Sequence, residues 1–308
     1  MKDRALYKYF LNRECMNGLF RPRRSMLYVP GCNTRYLNKA RSLIVDSVIL
    51  DLGNPILIEA KEQSRENVVA AVKEGGYGPR EVVVRVNDID SPWGKDDIHA
   101  VANIGADAIL FPNIESREDV LTVLDILKDA GNTTIPIMVM IESPLAVLHA
   151  EEIASASDRI ACMVMATSDL LSHLRGRITL ERLPLLTSLS MVQLAARAYG
   201  RSIVDGINTN LKDMHSFEYA CRMGRDLGLD GKTLVHPSQL DYSNDAYTPK
   251  RAEVELAKEV IAELAAANAA GRGTVVVEGR LIEKHQVEAA KRLLMLNEMI
   301  HQLETESA

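Results

Sequence analysis

Cysteine is scarce and scattered in this chain. Cys15, Cys32, Cys162 and Cys221 form no Cys-x-x-Cys pair, which fits neither a zinc site nor the dense disulfide framework of a small secreted domain. Reduced thiols and a cytoplasmic setting are the expectation. Long apolar runs are missing too: none approaches the roughly 18 residues that span a bilayer. A basic excess is also lacking. Set against 42 acids, the 36 lysines and arginines leave a net charge of -6, which argues against a nucleic-acid or membrane-surface partner while leaving room for a local basic site. No Gly-x-Gly-x-x-Gly follows the first apolar run, which weakens a dinucleotide-binding reading.

What is present is an ordinary globular composition, 47% hydrophobic and 25% charged over 308 residues, long enough for one large α/β barrel or two common domains. The segment Met1–Arg24 is basic but contains Asp3 and Glu14 and has no apolar signal core. It reads as an arm packing on the domain, with a transit peptide as the alternative.

Short β-branched runs then alternate with helical patterns. The strand candidates are Ser25–Val29, Ser47–Leu52, Val82–Val86, Ala108–Phe111, Ile135–Ile141, Ile160–Ala166, Ser202–Asp205 and Thr233–Val235. Helical stretches between them include Glu62–Glu74, Arg117–Ala130, Pro144–Ala154, Leu185–Tyr199 and Met214–Leu227. Eight βα alternations across residues 25–247 predict a closed (β/α)8 TIM barrel. Residues 248–308 form a helical extension. Val254, Ala257, Ile261 and Leu264 stripe one helix, Thr274–Val277 reads as a short strand, and Val287, Ala290 and Leu294 stripe the last helix. This tail either packs on the barrel as a pair of helices or acts as a lid or subunit-swapped arm.

In such barrels the site is built where strands end and βα loops begin. Glu142 follows the apolar run Met138–Ile141 and Asp169 follows Met163–Ala166. A carboxylate there must be solvated or paired. Two on adjacent strands suit a hard divalent cation that keeps positions open for substrate oxygens; alternatively, each pairs with an arginine or caps a helix. Arg85 is suited to grip a substrate carboxylate with both arms of its fork, or else pairs with Asp51. His236, before Pro237, is either a base or a helix cap. Trp93 reads as a rim aromatic.

These residues also resemble a family: the citrate lyase β subunit and the related malyl-CoA and citramalyl-CoA lyases. Arg24-Ser25-Met26-Leu27-Tyr28-Val29-Pro30-Gly31 is similar to the family's opening RSxLFVPG, and Val84-Arg85-Val86-Asn87 with Ser91-Pro92-Trp93-Gly94 to its VRVN…TPWG. Glu142 and Asp169 stand at its metal ligands, and Gly228–Lys232 and His236–Gln239 match GFDGK and HPSQ. The resemblance implies a Mg²⁺-dependent carbon-carbon lyase, with Mn²⁺ as an alternative ion, that cleaves a β-hydroxyacyl-CoA to acetyl-CoA and an α-keto acid through an enolate. It implies Glu142 and Asp169 on the metal, Arg85 with Pro30 and Gly31 on the substrate, and Glu283 as the acid, reaching a neighbouring subunit of a homotrimer or hexamer. Arg24, Arg35 and Lys39 are then the basic residues available to coenzyme A. Two departures stand out: Asp51-Leu52-Gly53-Asn54 replaces Asp-Leu-Glu-Asp, and Pro112-Asn113 replaces Pro-Lys. They leave open an aldolase acting on free hydroxy-keto acids, or a barrel that binds CoA without turnover.

Overall fold

The eight apolar runs pair in chain order, each parallel to the next, and the last returns to the first to close a barrel. In the computed structural model the strands are β1 (Ser25–Pro30), β2 (Ser47–Asp51), β3 (Glu81–Arg85), β4 (Ala108–Phe111), β5 (Ile137–Ile141), β6 (Ile160–Met165), β7 (Ser202–Asp205) and β8 (Gly231–Leu234). The structure describes residues 20–53, 56–270, 275–277 and 279–307. Most of the expected N-terminal arm, Asn54 and Thr274 therefore lie outside the described residues.

Helices cover the strands in the order α1 (Thr34–Ala40), α2 (Lys61–Glu74), α3 (Gly94–Val101), α4 (Arg117–Asp129), α5 (Pro144–Leu148), α6 (Ala150–Ser155), α7 (Thr167–His173), α8 (Leu183–Ala198), α9 (Met214–Asp226) and α10 (Leu240–Tyr247). Local chemistry explains their starts. Ser116 accepts from the Asp119 backbone N–H and Asp119 returns the favour in a capping box, while Ser143 caps α5 with Pro144 in its first turn. The helix expected over Pro144–Ala154 is broken at His149, whose φ of -95° and ψ of 12° leave the helical region as its Nδ1 meets the Glu115 carbonyl at 2.9 Å.

Alternation along each strand sorts residues into two cores. Met26, Ile49, Val83, Leu110, Met138 and Val164 fill the lumen, while Leu27, Val48, Val84 and Ile109 join the larger core between sheet and helices. The lumen-facing residues of β2 and β3 run polar, apolar, polar from bottom to top: Ser47 beside Glu81, Ile49 beside Val83, Asp51 beside Arg85. The bottom is plugged by Arg23, whose guanidinium holds Glu81 at 2.9 and 2.6 Å and Ser202 at 3.0 Å. Among the described residues this ion pair fills the end of the lumen opposite the strands' C-terminal ends.

The chain divides after Tyr247 into two compact units. In the second, α11 (Arg251–Ala269), the antiparallel hairpin β9 (Val275–Val277) with β10 (Arg280–Ile282), and α12 (Lys284–Ser307) share a core of Ala257, Val260, Ala267, Val277, Val287 and Ala290. No helix among the described residues is long and apolar enough to cross a membrane.

Candidate active site at the strand ends

At the top of β2 and β3 the register sets Asp51 against Arg85, and Arg85 Nε donates to Asp51 Oδ1 at 2.8 Å. The guanidinium also lies 5.2 Å from the centre of the Tyr28 ring, within cation-π range. Gly53 makes this posture possible. A Cβ there would stand 2.6 Å from Arg85 Nη2 and 2.9 Å from Nε, so the space a side chain would fill is taken by the arginine. The loop beneath is clamped by Lys61, which donates to the Leu52 and Gly53 carbonyls at 2.9 and 2.8 Å and to Asn87 Oδ1 at 2.6 Å. Burial raises the Asp51 carboxyl above its ordinary range, with Arg85 and the Gly53 N–H opposing. Burial likewise raises the Tyr28 phenol, so it remains a proton-bearing donor near neutrality.

Glu142 and Asp169 come from neighbouring strands. Glu142 directly follows β5; Asp169 lies in the first turn of α7, after β6. Burial raises the Glu142 carboxyl, and the charge of Asp169 raises it further; the Asn113 N–H, donating to Oε2 at 3.0 Å, works the other way. Asn113 reaches this carboxylate with φ of +53°, a left-handed conformation that Asn tolerates better than most side chains. Its amide also donates to Asp88 Oδ2 at 2.5 Å.

Neither Glu142 nor Asp169 takes part in an ion pair within 4 Å among the described residues. Among the described residues no group of three or more His, Cys, Asp or Glu gathers there as a ready-made metal cage either. Two carboxylates that repel each other at an open mouth, with no cation between them, fit a hard divalent ion that completes its shell with water or substrate oxygens. The cavity they border has a volume of about 280 Å³, and Tyr28, Pro30, Asp51, Arg85, Asp169 and Thr233 contribute to its wall. That suits a small acid, since drug-sized ligands need roughly 300–1,000 Å³.

Of the expected site residues, Arg85, Asp169 and Pro30 line this cavity, with Glu142 beside it. Gly31 shapes the turn behind it: its N–H donates to the Asp51 carbonyl at 2.9 Å, and a Cβ would press within 2.7 Å of Val68. Arg35 and Lys39 are exposed on α1. Arg24 is a correction. It precedes β1 at the opposite end of the barrel, only 1% exposed, and grips Asp46 through Nη2 at 2.8 Å, so no phosphate at the mouth reaches it. His236 caps the turn at Pro237–Gln239, accepting from the Ser238 N–H at 3.1 Å. Glu283 belongs to the second unit, exposed between β10 and α12, with His285 at 3.2 Å. Tyr28 is a wall residue that sequence reasoning did not nominate, while Asp51, expected at a strand end as the alternative partner of Arg85, is in the wall as well. The signal was the alternation that turns Tyr28 inward with Met26.

A closed parallel barrel with acids and an arginine gathered at its strand ends has the layout of a barrel enzyme. The HpcH/HpaI aldolase/citrate lyase model matches residues 24–237, and the chain belongs to that family. It is 40% identical over 279 residues to a (3S)-malyl-CoA thioesterase of Cereibacter sphaeroides, covering 91% of this chain and 96% of that one. To the citrate lyase subunit beta of Leuconostoc mesenteroides subsp. cremoris it is 32% identical over 292 residues, covering 93% and 97%. Among solved structures, CitE from Mycobacterium tuberculosis in complex with magnesium, acetoacetate and coenzyme A superposes with a TM-score of 0.69 at 24% identity, covering 90% and 98%. At that identity the likeness speaks to the barrel alone.

Proposed function

We propose that this protein is a Mg²⁺-dependent lyase that cleaves a 3-hydroxyacyl-CoA to acetyl-CoA and an α-keto acid. The observation that carries the reading is the grouping of Arg85 with the unpaired carboxylates of Glu142 and Asp169 around one small cavity. Glu142 and Asp169 would hold the ion, which when bound supplies the Lewis acidity that polarises the keto-acid oxygen. Arg85 binds the substrate carboxylate, and Asp51, on its Nε edge, keeps the guanidinium in register for it. The Tyr28 hydroxyl, protonated because burial raises it, is a neutral donor for a substrate oxygen.

In the cleavage the hydroxyl proton passes to water at the open mouth, the bond between the carbinol carbon and the thioester's α-carbon breaks, and its electrons pass into the thioester enolate. One proton delivered to that carbon completes acetyl-CoA. Glu283 of a neighbouring copy, within a trimer or hexamer, is the acid we assign to that delivery. Its exposure supports this. Arg35 and Lys39, on the helix that follows the Pro30–Gly31 turn, are the basic residues open to the CoA phosphates.

A second reading is favoured by the relatives named (3S)-malyl-CoA thioesterase: hydrolysis of the same thioester, releasing free CoA and an intact hydroxy acid. Product analysis separates them. Incubating citramalyl-CoA or malyl-CoA with Mg²⁺ should yield acetyl-CoA with pyruvate or glyoxylate. Free CoA with unbroken citramalate or malate would overturn the lyase in favour of the hydrolase, and no product from either thioester would sink both. Mixing Glu283→Ala protomers with Asp169→Ala protomers should restore part of the activity; persistent inactivity in verified mixed oligomers would remove Glu283.

A further inference from the structure

The wall of the cavity carries more information than its metal-ligand pair. Among the described residues lining it, Arg85 is the single cation, and Asp51 already occupies its Nε edge at 2.8 Å. The carboxylates of Asp51, Glu142 and Asp169 against that one guanidinium leave two formal negative charges, which a divalent ion cancels. With that ion the wall is formally neutral, so one substrate carboxylate held by Arg85 already leaves a net negative charge, and a second would double it. Much of the remaining surface is apolar: Met140, Met165, Ala166, Ile207 and Val235. A second carboxylate would be pressed against thioethers and aliphatic groups or set beside an acid. Either position removes water from a charge without supplying a partner, which is costly. A hydrogen or a methyl group in the same place loses nothing.

We infer that the site selects a 2-oxo acid with one carboxylate and a short apolar substituent or none, the chemistry of pyruvate or glyoxylate, and rejects one with two carboxylates, the chemistry of oxaloacetate. This rests on the proposed thioester-cleaving reading for its substrates, which become citramalyl-CoA or malyl-CoA rather than citryl-CoA. It does not rest on whether the thioester is cleaved at the carbon-carbon or the carbon-sulfur bond. The discrimination comes from the five apolar side chains on β5, at and just after the end of β6, after β7 and after β8, so a second cation among them should relax it.

The test has two arms, both with the full-length protein and Mg²⁺. In the first, calorimetry compares pyruvate with freshly dissolved oxaloacetate, and kcat/KM compares citramalyl-CoA with citryl-CoA. Because a pocket that leaves a buried polar group unpaired discriminates strongly, the one-carboxylate ligand should be favoured by about a hundredfold. In the second, Ile207→Arg or Val235→Lys supplies a cation to the wall and should narrow that preference at least about tenfold, the scale of one charged hydrogen bond. Should a variant fail to fold, the wild-type ratio decides alone. Oxaloacetate binding as tightly as pyruvate, or citryl-CoA turning over as well as citramalyl-CoA, overturns the inference. Preferential pyruvate binding without any thioester cleavage upholds the selectivity and removes the proposed reaction. If neither acid binds, both fall.

Discussion

Gly53→Ala adds one methyl group, and the consequences can be worked from a single contact. The new Cβ would stand 2.6 Å from Arg85 Nη2, 2.9 Å from Nε and 3.1 Å from Cζ, all inside van der Waals contact, and what it meets is the end of a flexible side chain. Arg85 must therefore swing away. Gly53 is not among the residues with positive φ, so alanine adds no backbone strain to confuse the result. Asp51, only 3% exposed, loses its ion pair and keeps the Gly53 N–H at 2.8 Å. Breaking a buried pair outright costs about 3–5 kcal/mol; since the arginine is displaced rather than removed, about 2 kcal/mol is expected. For a unit of this size that lowers Tm by roughly 4–8 °C, at about 2–4 °C per kcal/mol. Keto-acid affinity should fall about 10–100-fold, the worth of a charged hydrogen bond. Differential scanning calorimetry and pyruvate titration in Mg²⁺ read both. The decisive control is Arg85→Met: in that background Gly53→Ala should change little, because the two act as one unit. An unchanged Tm and Kd in the single variant, or an equal loss in the Arg85→Met background, would refute the reasoning.

Other expectations concern the rest of the barrel. Asp205 is buried; burial alone would raise its carboxyl, but Arg182 at 2.7 Å and Lys232 at 2.7 Å hold it well below the ordinary range. A depressed folded value means its contribution is complete above the unfolded value of about 3.9 and is lost as pH falls through the folded one. Asp205→Asn should thus lower stability at pH 7 by about 3–5 kcal/mol and flatten the acid limb of a pH-dependent denaturant titration; an unaltered acid limb would contradict the assignment. At the other end of the barrel, Glu81→Gln strips Arg23 of its buried partner. It should cost about 3 kcal/mol of stability while leaving Mg²⁺-dependent pyruvate affinity intact; a matching loss of affinity would show that the plug and the mouth are coupled. The KM for the thioester should rise, its affinity falling, in Arg35→Ala and Lys39→Ala if α1 meets the CoA phosphates, and should be indifferent to salt-bridge-preserving changes at Arg24, whose guanidinium is committed to Asp46; an unchanged KM in both alanine variants would contradict the assignment.

The barrel was legible because strands buried on both faces read as unbroken apolar runs, and Val83, Ile109 and Val139 are buried wherever they point. Glu142 stood out because a carboxylate directly after Met138–Ile141 must be solvated or paired, and in the structure it lies beside the cavity without an ion pair among the described residues. Arg85 was read two ways, as a substrate clamp and as a partner of Asp51, and the register of β2 on β3 makes it a neighbour of both cavity and acid. Other features needed three dimensions. Arg24 stood next to a motif and looked available, but only the closed barrel buries it against Asp46. Gly53 looked like the loss of an acid; in the structure it is the room that a guanidinium fills. The break at His149 depends on a carbonyl of Glu115, 34 residues earlier in the chain, which no local helical pattern encodes.

The central claim is that Glu142 and Asp169 hold a divalent ion against a keto acid anchored by Arg85. Titrating pyruvate in saturating Mg²⁺ into wild type, Glu142→Ala and Asp169→Ala tests it most directly, with circular dichroism to confirm that the variants fold. The account predicts metal-dependent binding in the wild type and none in either folded variant. Undiminished metal-dependent binding in Glu142→Ala would contradict it.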